Sequence, residues 1–436
     1  MGKYFGTDGI RGTVGKELTV DLALKVGKAL SYFEEKDVYI GYDTRISNHM
    51  IASSIASGAL AFGKNVYDVG VISTPGLAYH SKKNNTIAVM VTASHNPYMD
   101  NGIKIFYHGI KMSDKQEADI EELISSPSFS YPVPYDGKYT FGYKQPVQDY
   151  IDYLNSISQK FNKRIALDCA NGATSFIAPE VYKHISDDVL VVGNNPDGYN
   201  INKGVGSTHL DNLSQFVIDN NCEVGFAYDG DGDRILVVDE KGKKYSGDEI
   251  IYIIASELFK EGKLKNNTVV LTRMSNLGII NNLKAQGINV SLTDVGDRNV
   301  LMEMLEHDYI IGGENSGHVI NLDYLHTGDG IITSIVLCNI MAKTSKTLEE
   351  LTSSLTIYPE SLVNLKVKDK NIAKKDIIQN KVEEFNAKYN GELKLIVRAS
   401  GTENLLRVSC CAKNKVDMEN AIDTLVKLIQ EEEKKI

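Results

Sequence analysis

Three stretches of the chain repeat one arrangement, and that repetition limits the fold more than any other feature. In the first, an apolar β-branched run at 38–43 is followed by a helical pattern at 51–61 and by further runs at 65–69 and 87–91. The second stretch carries such runs at 164–168, 189–192 and 223–228, and the third at 268–272, 289–292 and 308–311. Short strand-like runs joined by helix-length connections predict parallel βαβ layers. Each stretch then opens from its last run into a polar loop. The loops are Thr92-Ala93-Ser94-His95-Asn96-Pro97, Asp229-Gly230-Asp231-Gly232-Asp233-Arg234 and Gly312-Gly313-Glu314-Asn315-Ser316-Gly317-His318. Loops at the C-terminal ends of strands are where α/β sheets assemble their chemistry. Three α/β units aiming equivalent loops at one cleft are therefore expected.

After about residue 358 the pattern changes. A charged stretch at 366–375 precedes a helical pattern at 375–389 and a strand-like run at 393–397. Arg398-Ala399-Ser400-Gly401-Thr402-Glu403 joins that run directly to another at 405–411, and Met418, Ile422, Leu425 and Ile429 then recur at helical spacing. Strands joined by a short loop predict an antiparallel α+β unit. The expected fold class is α/β, with three similar mixed-sheet domains and a C-terminal α+β domain. The boundaries fall at 1–145, 146–244, 245–358 and 359–436, near stretches marked by Gly, Pro or Lys.

Composition removes several functions. The formal charge of −10 and the lack of a Lys/Arg-rich block leave no footprint for a nucleic-acid backbone. Five cysteines without Cys-x-x-Cys spacing fit reduced thiols in a cytoplasm. Neither a signal-type apolar run near Met1 nor a membrane-spanning run occurs, so a soluble cytoplasmic protein is expected.

Each loop has more than one reading. Ser94, with imidazole, amide and ammonium groups nearby, is either an activated nucleophile or part of a turn that satisfies backbone groups. Asp229, Asp231 and Asp233 repel one another unless a cation sits among them, and hard oxygen ligands suit Mg²⁺. A hydrated acidic turn is the other reading; an EF-hand fails because Arg234 stands where that loop needs Gly. Lys3-Tyr4-Phe5-Gly6-Thr7-Asp8-Gly9-Ile10-Arg11-Gly12 could bring Arg11 to a phosphoryl group or form a flexible turn. Glu314 and Ser316 suit sugar hydroxyls or a helix cap. Arg398, Ser400, Gly401 and Thr402, with Arg407, make a phosphate cradle or a solvated hairpin.

In this order the motifs resemble the α-D-phosphohexomutase family. They are Ser-His-Asn-Pro, Asp-Gly-Asp-Gly-Asp-Arg, Gly-Glu-x-Ser-Gly-His and Arg-x-Ser-Gly-Thr-Glu, and the likeness runs from Gly6 to Arg407. Asp168-Cys169-Ala170-Asn171-Gly172-Ala173, Asn200-Ile201-Asn202, Gly206-Ser207-Thr208-His209 and Val295-Gly296-Asp297-Arg298 resemble the branch acting on glucosamine phosphates. Asn315 departs from that branch's usual Gln.

The resemblance implies a heart-shaped, four-domain architecture. It implies a phosphorylated Ser94, with Asp229, Asp231, Asp233 and the phosphoserine holding Mg²⁺. Arg11, His95 and Lys104 would surround the transferring phosphoryl group, with His95 or Lys104 assisting the proton. Arg234, Glu314 and Ser316 would hold the sugar, and Arg398, Ser400, Gly401, Thr402 and Arg407 its other phosphate. The implied reaction interconverts glucosamine 6-phosphate and glucosamine 1-phosphate through a 1,6-bisphosphate, feeding UDP-N-acetylglucosamine synthesis. A 2-hydroxy hexose phosphate, a non-catalytic sugar-phosphate sensor and a metal-dependent phosphatase are the alternatives. The expected partners are a small-molecule sugar phosphate and at most a second copy in a homodimer, with neither nucleic acid nor membrane.

Overall fold

A computed structural model describes residues 2–6, 8–126, 136–400 and 404–435. Gly401 and Thr402, expected in the phosphate cradle, lie outside the described residues. The chain forms two compact units, Met1–Arg273 with Ser291–Leu351, and Met274–Val290 with Thr352–Ile436.

In the first unit, Ile87–Val91 is a fully buried strand, as its unbroken apolar run requires. Asp37–Tyr42 pairs parallel to it on one side, and Asn65–Val71 continues the parallel layer. Ala23, Val26, Ile51 and Ile55 from helices Val20–Ala29 and Asn48–Leu60 close one core with Val38, Ile40 and Val89. On its other side Ile87–Val91 pairs antiparallel with Asp100–Tyr107. Two further sheets repeat this return. Val224–Tyr228 is parallel to Ile165–Asp168 and antiparallel to Ile235–Asp239. Ile311–Gly313 is parallel to Thr268–Thr272 and antiparallel to Val319–Asn321. All three polar loops are therefore the connections between a last parallel strand and its antiparallel neighbour.

In the first unit, two differences from the sequence reading bear on the site. The glycine-rich opening contains a strand, Gly9–Thr13, antiparallel to Asp100–Tyr107 with Arg11 opposite Gly102. Its glycines conceal the strand, because pairing is set by the neighbouring backbone and not by an apolar run. Residues 308–310 are not strand: Asp308 ends helix Asp297–His307 in the left-handed conformation, and the strand begins at Ile311.

The second unit is an antiparallel three-stranded sheet in the order Glu360–Lys366, Leu405–Ala412, Leu393–Ala399. Glu360–Lys366 carries no apolar run because, at the sheet edge, every second residue faces water. Helices Asp376–Lys388 and Lys415–Glu433 cover the sheet, with Met418, Ile422, Leu425 and Ile429 buried as their spacing predicts. The five cysteines are buried and unpaired. Among the described residues no helix is long and apolar enough to cross a membrane.

Candidate active site

Ser94 sits at the mouth of the first sheet in a left-handed conformation, φ 53°, and is almost wholly buried. Its Oγ donates to Asp229 Oδ2 at 2.5 Å and lies 3.4 Å from His95 Nδ1. The first and second polar loops therefore meet. Asp229, Asp231 and Asp233 are buried, and one carboxylate oxygen from each lies within 4.8 Å of the others. Asp231 Oδ1 and Asp233 Oδ1 accept no hydrogen bond among the described residues. Buried carboxylate oxygens without donors are costly, and a hard cation is the group that would satisfy them. The triplet therefore fits a divalent metal. Burial, reinforced by Asp233 and Asp231, pushes the Asp229 carboxyl well above the usual range.

Cations surround the triplet. Lys104 Nζ donates to Asp231 Oδ2 at 2.8 Å and to Asp233 Oδ2 at 3.0 Å, and lies 3.3 Å from Asp8. Burial alone would lower the Lys104 pKa, but Asp231, Asp233 and Asp8 outweigh it and raise it well above the usual value. Lys104 is thus a fixed ammonium. Arg11 pairs with Asp8, and its strand register against Gly102 makes it a diagonal neighbour of Lys104. Burial, then Arg234 and Arg11, push His95 down to about 4, so its imidazole is neutral at pH 7. Of the two groups expected to assist the proton, only His95 has a free lone pair.

The third loop reaches the same region. His318 Nδ1 lies 3.7 Å from Asp233 Oδ1; within the second loop, Arg234 donates its backbone N–H to Asp229 Oδ1 at 3.1 Å. Glu314 Oε1 accepts from Gly296 N–H at 2.9 Å. Ser316 Oγ is sheltered and makes no hydrogen bond among the described residues, as does Arg234 Nε. These are unsatisfied groups of the kind a sugar phosphate would occupy.

In the second unit, Arg398 and Arg407 stand directly opposite across paired strands. Their Nε atoms are both buried without an acceptor among the described residues. Like charges in register are unfavourable, and burial followed by Arg407 lowers the Arg398 pKa. An anion would relieve both. Ser400 is buried at the end of the strand, its N–H bonded to Leu405 O at 2.9 Å.

Several participants were given no role in the sequence reading, although Asp8 and Asp297 lie within its motifs. Asp8 gathers Arg11, Lys104 and Lys111, which hold its carboxyl well below the usual range despite burial. Lys111 also pairs with Asp297, which lies 3.6 Å from His318 Nε2. Thr74 Oγ1 donates to Asp231 Oδ2 at 2.5 Å. Asp43 and Arg45 lie beneath the Ser94 loop. The sequence did carry one signal for the last pair: Asp43-Thr44-Arg45 follows strand Asp37–Tyr42 as Ser94 follows Ile87–Val91.

Four segments match the domains of one family, described as Phosphoglucomutase/phosphomannomutase. Domain I matches residues 2–130, domain II 147–242, domain III 246–358 and the C-terminal domain 362–427. A phosphoglucosamine mutase of Bacillus subtilis is 44% identical over 444 residues, covering 99% of each chain. Among solved structures, a phosphoglucomutase/phosphomannomutase family protein of Burkholderia thailandensis superposes with TM-score 0.82 at 22% identity, covering 97% of this chain and 96% of that one. The N-acetylphosphoglucosamine mutase of Aspergillus fumigatus, solved with GlcNAc-6P and magnesium, gives TM-score 0.71 at 18% identity, covering 99% and 96%.

Proposed function

We propose a function on the premise that the chain belongs to the phosphoglucomutase/phosphomannomutase family. It interconverts glucosamine 6-phosphate and glucosamine 1-phosphate, with Ser94 as the phosphoryl carrier. The hydrogen bond of 2.5 Å from Ser94 Oγ to Asp229, within a triplet that keeps two donorless carboxylate oxygens, carries this reading. The phosphoglucosamine mutase name of the Bacillus subtilis relative supports the choice of sugar.

In the first half-reaction a sugar hydroxyl oxygen bonds to the phosphorus of phospho-Ser94 as the phosphorus–Oγ bond breaks. The hydroxyl loses one proton and Oγ gains one, so the half-reaction is balanced. The 1,6-bisphosphate then turns, and Oγ attacks its other phosphorus, giving up its proton and releasing the isomer. His95, neutral and 3.4 Å from Oγ, accepts and returns that proton. Lys104 and Arg11 balance the charge of the transferring group, which matters more in phosphoryl transfer than covalent chemistry does. Asp229, Asp231 and Asp233, with the phosphoserine, would hold Mg²⁺, which supplies charge neutralisation at the phosphoryl oxygens. Arg234, Glu314 and Ser316 hold the sugar, and Arg398, Ser400, Gly401, Thr402 and Arg407 bind a phosphate of the substrate. The reaction takes place in the cytoplasm on a small-molecule sugar phosphate.

Steady-state kinetics on a panel of glucosamine, glucose and mannose 1-phosphates test the reading. The highest kcat/KM should fall on the glucosamine phosphate, and a preference for a 2-hydroxy sugar would overturn that specificity. Release of inorganic phosphate without isomer would make the chain a phosphatase. An intact mass lacking a phosphoryl group, together with no turnover, would favour a sensor.

A further inference from the structure

The Asn200-Ile201-Asn202 motif and the Asp43-Thr44-Arg45 loop have no part in the transfer itself, yet both converge on the backbone that carries Ser94. Arg45 is buried, and its three side-chain nitrogens are all engaged. Nε donates to Asp43 Oδ2 at 2.9 Å, Nη2 to Ser94 O at 2.8 Å and Asn96 O at 2.9 Å, and Nη1 to Pro97 O at 2.5 Å. From the other side Asn202 Nδ2 donates to the same two carbonyls, Ser94 O at 2.9 Å and Asn96 O at 3.1 Å. Each of those carbonyls thus has both acceptor positions filled.

Two further contacts close the arrangement. Asp43 Oδ2 accepts from Thr92 Oγ1 at 2.7 Å, and Thr92 Oγ1 accepts the Ser94 N–H at 2.9 Å. Both peptides flanking Ser94 are therefore tied, directly or through Thr92, to the wholly buried Asp43–Arg45 pair. Asn202 is itself held, its N–H donating to Ala170 O at 2.8 Å. A Cβ at Gly230 would stand 2.5 Å from Ser94 O, so the aspartate loop packs closely against that carbonyl. A serine does not hold φ near 53° without support from its surroundings.

We propose that Arg45 and Asn202 are positioning residues for phosphoryl transfer, gripping the Ser94 and Asn96 carbonyls from two sides so that Ser94 Oγ stays aimed at the aspartate triplet. The proposal rests on the reading of Ser94 as phosphoryl carrier. Neither residue is catalytic, since Arg45 spends its nitrogens on carbonyls and on Asp43, and Asn202 its amide on the same carbonyls. The guanidinium fork is the feature that matters, because an ammonium cannot reach three carbonyls and a carboxylate in one plane.

The test compares full-length Arg45→Lys, Asn202→Ala and Ser94→Ala with wild type, reading kcat, KM for glucosamine 1-phosphate, phosphate on Ser94 by intact mass, and Tm. Misplacing a reacting atom by a fraction of its bond length is costly, so kcat should fall about 10- to 100-fold in Arg45→Lys and Asn202→Ala while KM stays near wild type. A merely structural role would lower Tm and the active fraction without changing kcat per folded molecule. Asn202→Ala keeps the test open should Arg45→Lys fail to fold. Wild-type kcat per folded molecule in Asn202→Ala, with Ser94 phosphorylated in the wild type, overturns the positioning role alone. An active Ser94→Ala overturns the reading beneath it.

Discussion

At residue scale, the proposed role of Ser94 can be separated from binding. Ser94→Ala removes the proposed phosphoryl carrier but leaves the cations, Glu314 and Ser316 in place, so turnover should vanish while calorimetry still shows substrate binding. Retained turnover would contradict the carrier role. His95→Gln should lower kcat about 10²- to 10⁴-fold with KM little changed, the usual scale for a lost general acid–base group. Asp329 gives a stability test outside the triplet, although Asp233 adds to the upward shift of its carboxyl. Burial raises its carboxyl to about 6 although it accepts from Tyr150 Oη at 2.6 Å and from Ile332 N–H at 2.9 Å. Its folded pKa lies above the unfolded one, so the stability it contributes is complete below about pH 4 and is lost as pH rises through about 6. Between pH 7 and pH 4 the wild type should therefore gain up to about 2–3 kcal/mol over Asp329→Asn, which keeps the helix cap. Urea unfolding at stepped pH measures the difference, and parallel curves would contradict it.

At the scale of elements, the site depends on the strand pair Gly9–Thr13 and Asp100–Tyr107, which brings Arg11 beside Lys104. A Cβ at Gly102 would stand 2.5 Å from Thr92 O and 2.7 Å from Ile10 O, both backbone atoms. Gly102→Ala should therefore cost about 1–3 kcal/mol and reduce activity with it, as urea unfolding and kcat will show. The Ser94 and Asp229 loops were legible in the sequence because each follows an apolar run that forms a buried strand, whereas of the run expected before the Glu314 loop only Ile311 is strand. The strand pairing that sets Arg11 beside Lys104 was not legible, because the Gly-rich strand Gly9–Thr13 has no apolar run to mark it. The same holds for Arg45 and Asp8, whose importance comes from burial against carbonyls and lysines far along the chain. Edge strand Glu360–Lys366 was hidden because every second residue faces water and no apolar run forms, while the helix carrying Met418, Ile422, Leu425 and Ile429 was plain from its spacing.

For the whole molecule, the donorless oxygens of Asp231 and Asp233 predict that folding and metal binding are linked. Mg²⁺ should raise Tm in a concentration-dependent way, by the equivalent of about 2.7 kcal/mol at a hundredfold excess over Kd, and Asp231→Asn should remove the rise. Thermal unfolding with and without chelator measures this, and a Tm indifferent to Mg²⁺ would argue against the site. Family membership agrees with the threefold repeat of α/β domains. The most direct test of the proposed reaction is a single-turnover quench. Enzyme bearing labelled phosphate on Ser94 is mixed with excess glucosamine 1-phosphate and the labelled species are separated. The account predicts label passing from the enzyme into glucosamine 1,6-bisphosphate and then into glucosamine 6-phosphate; label that stays on the protein, or leaves as inorganic phosphate, would contradict it.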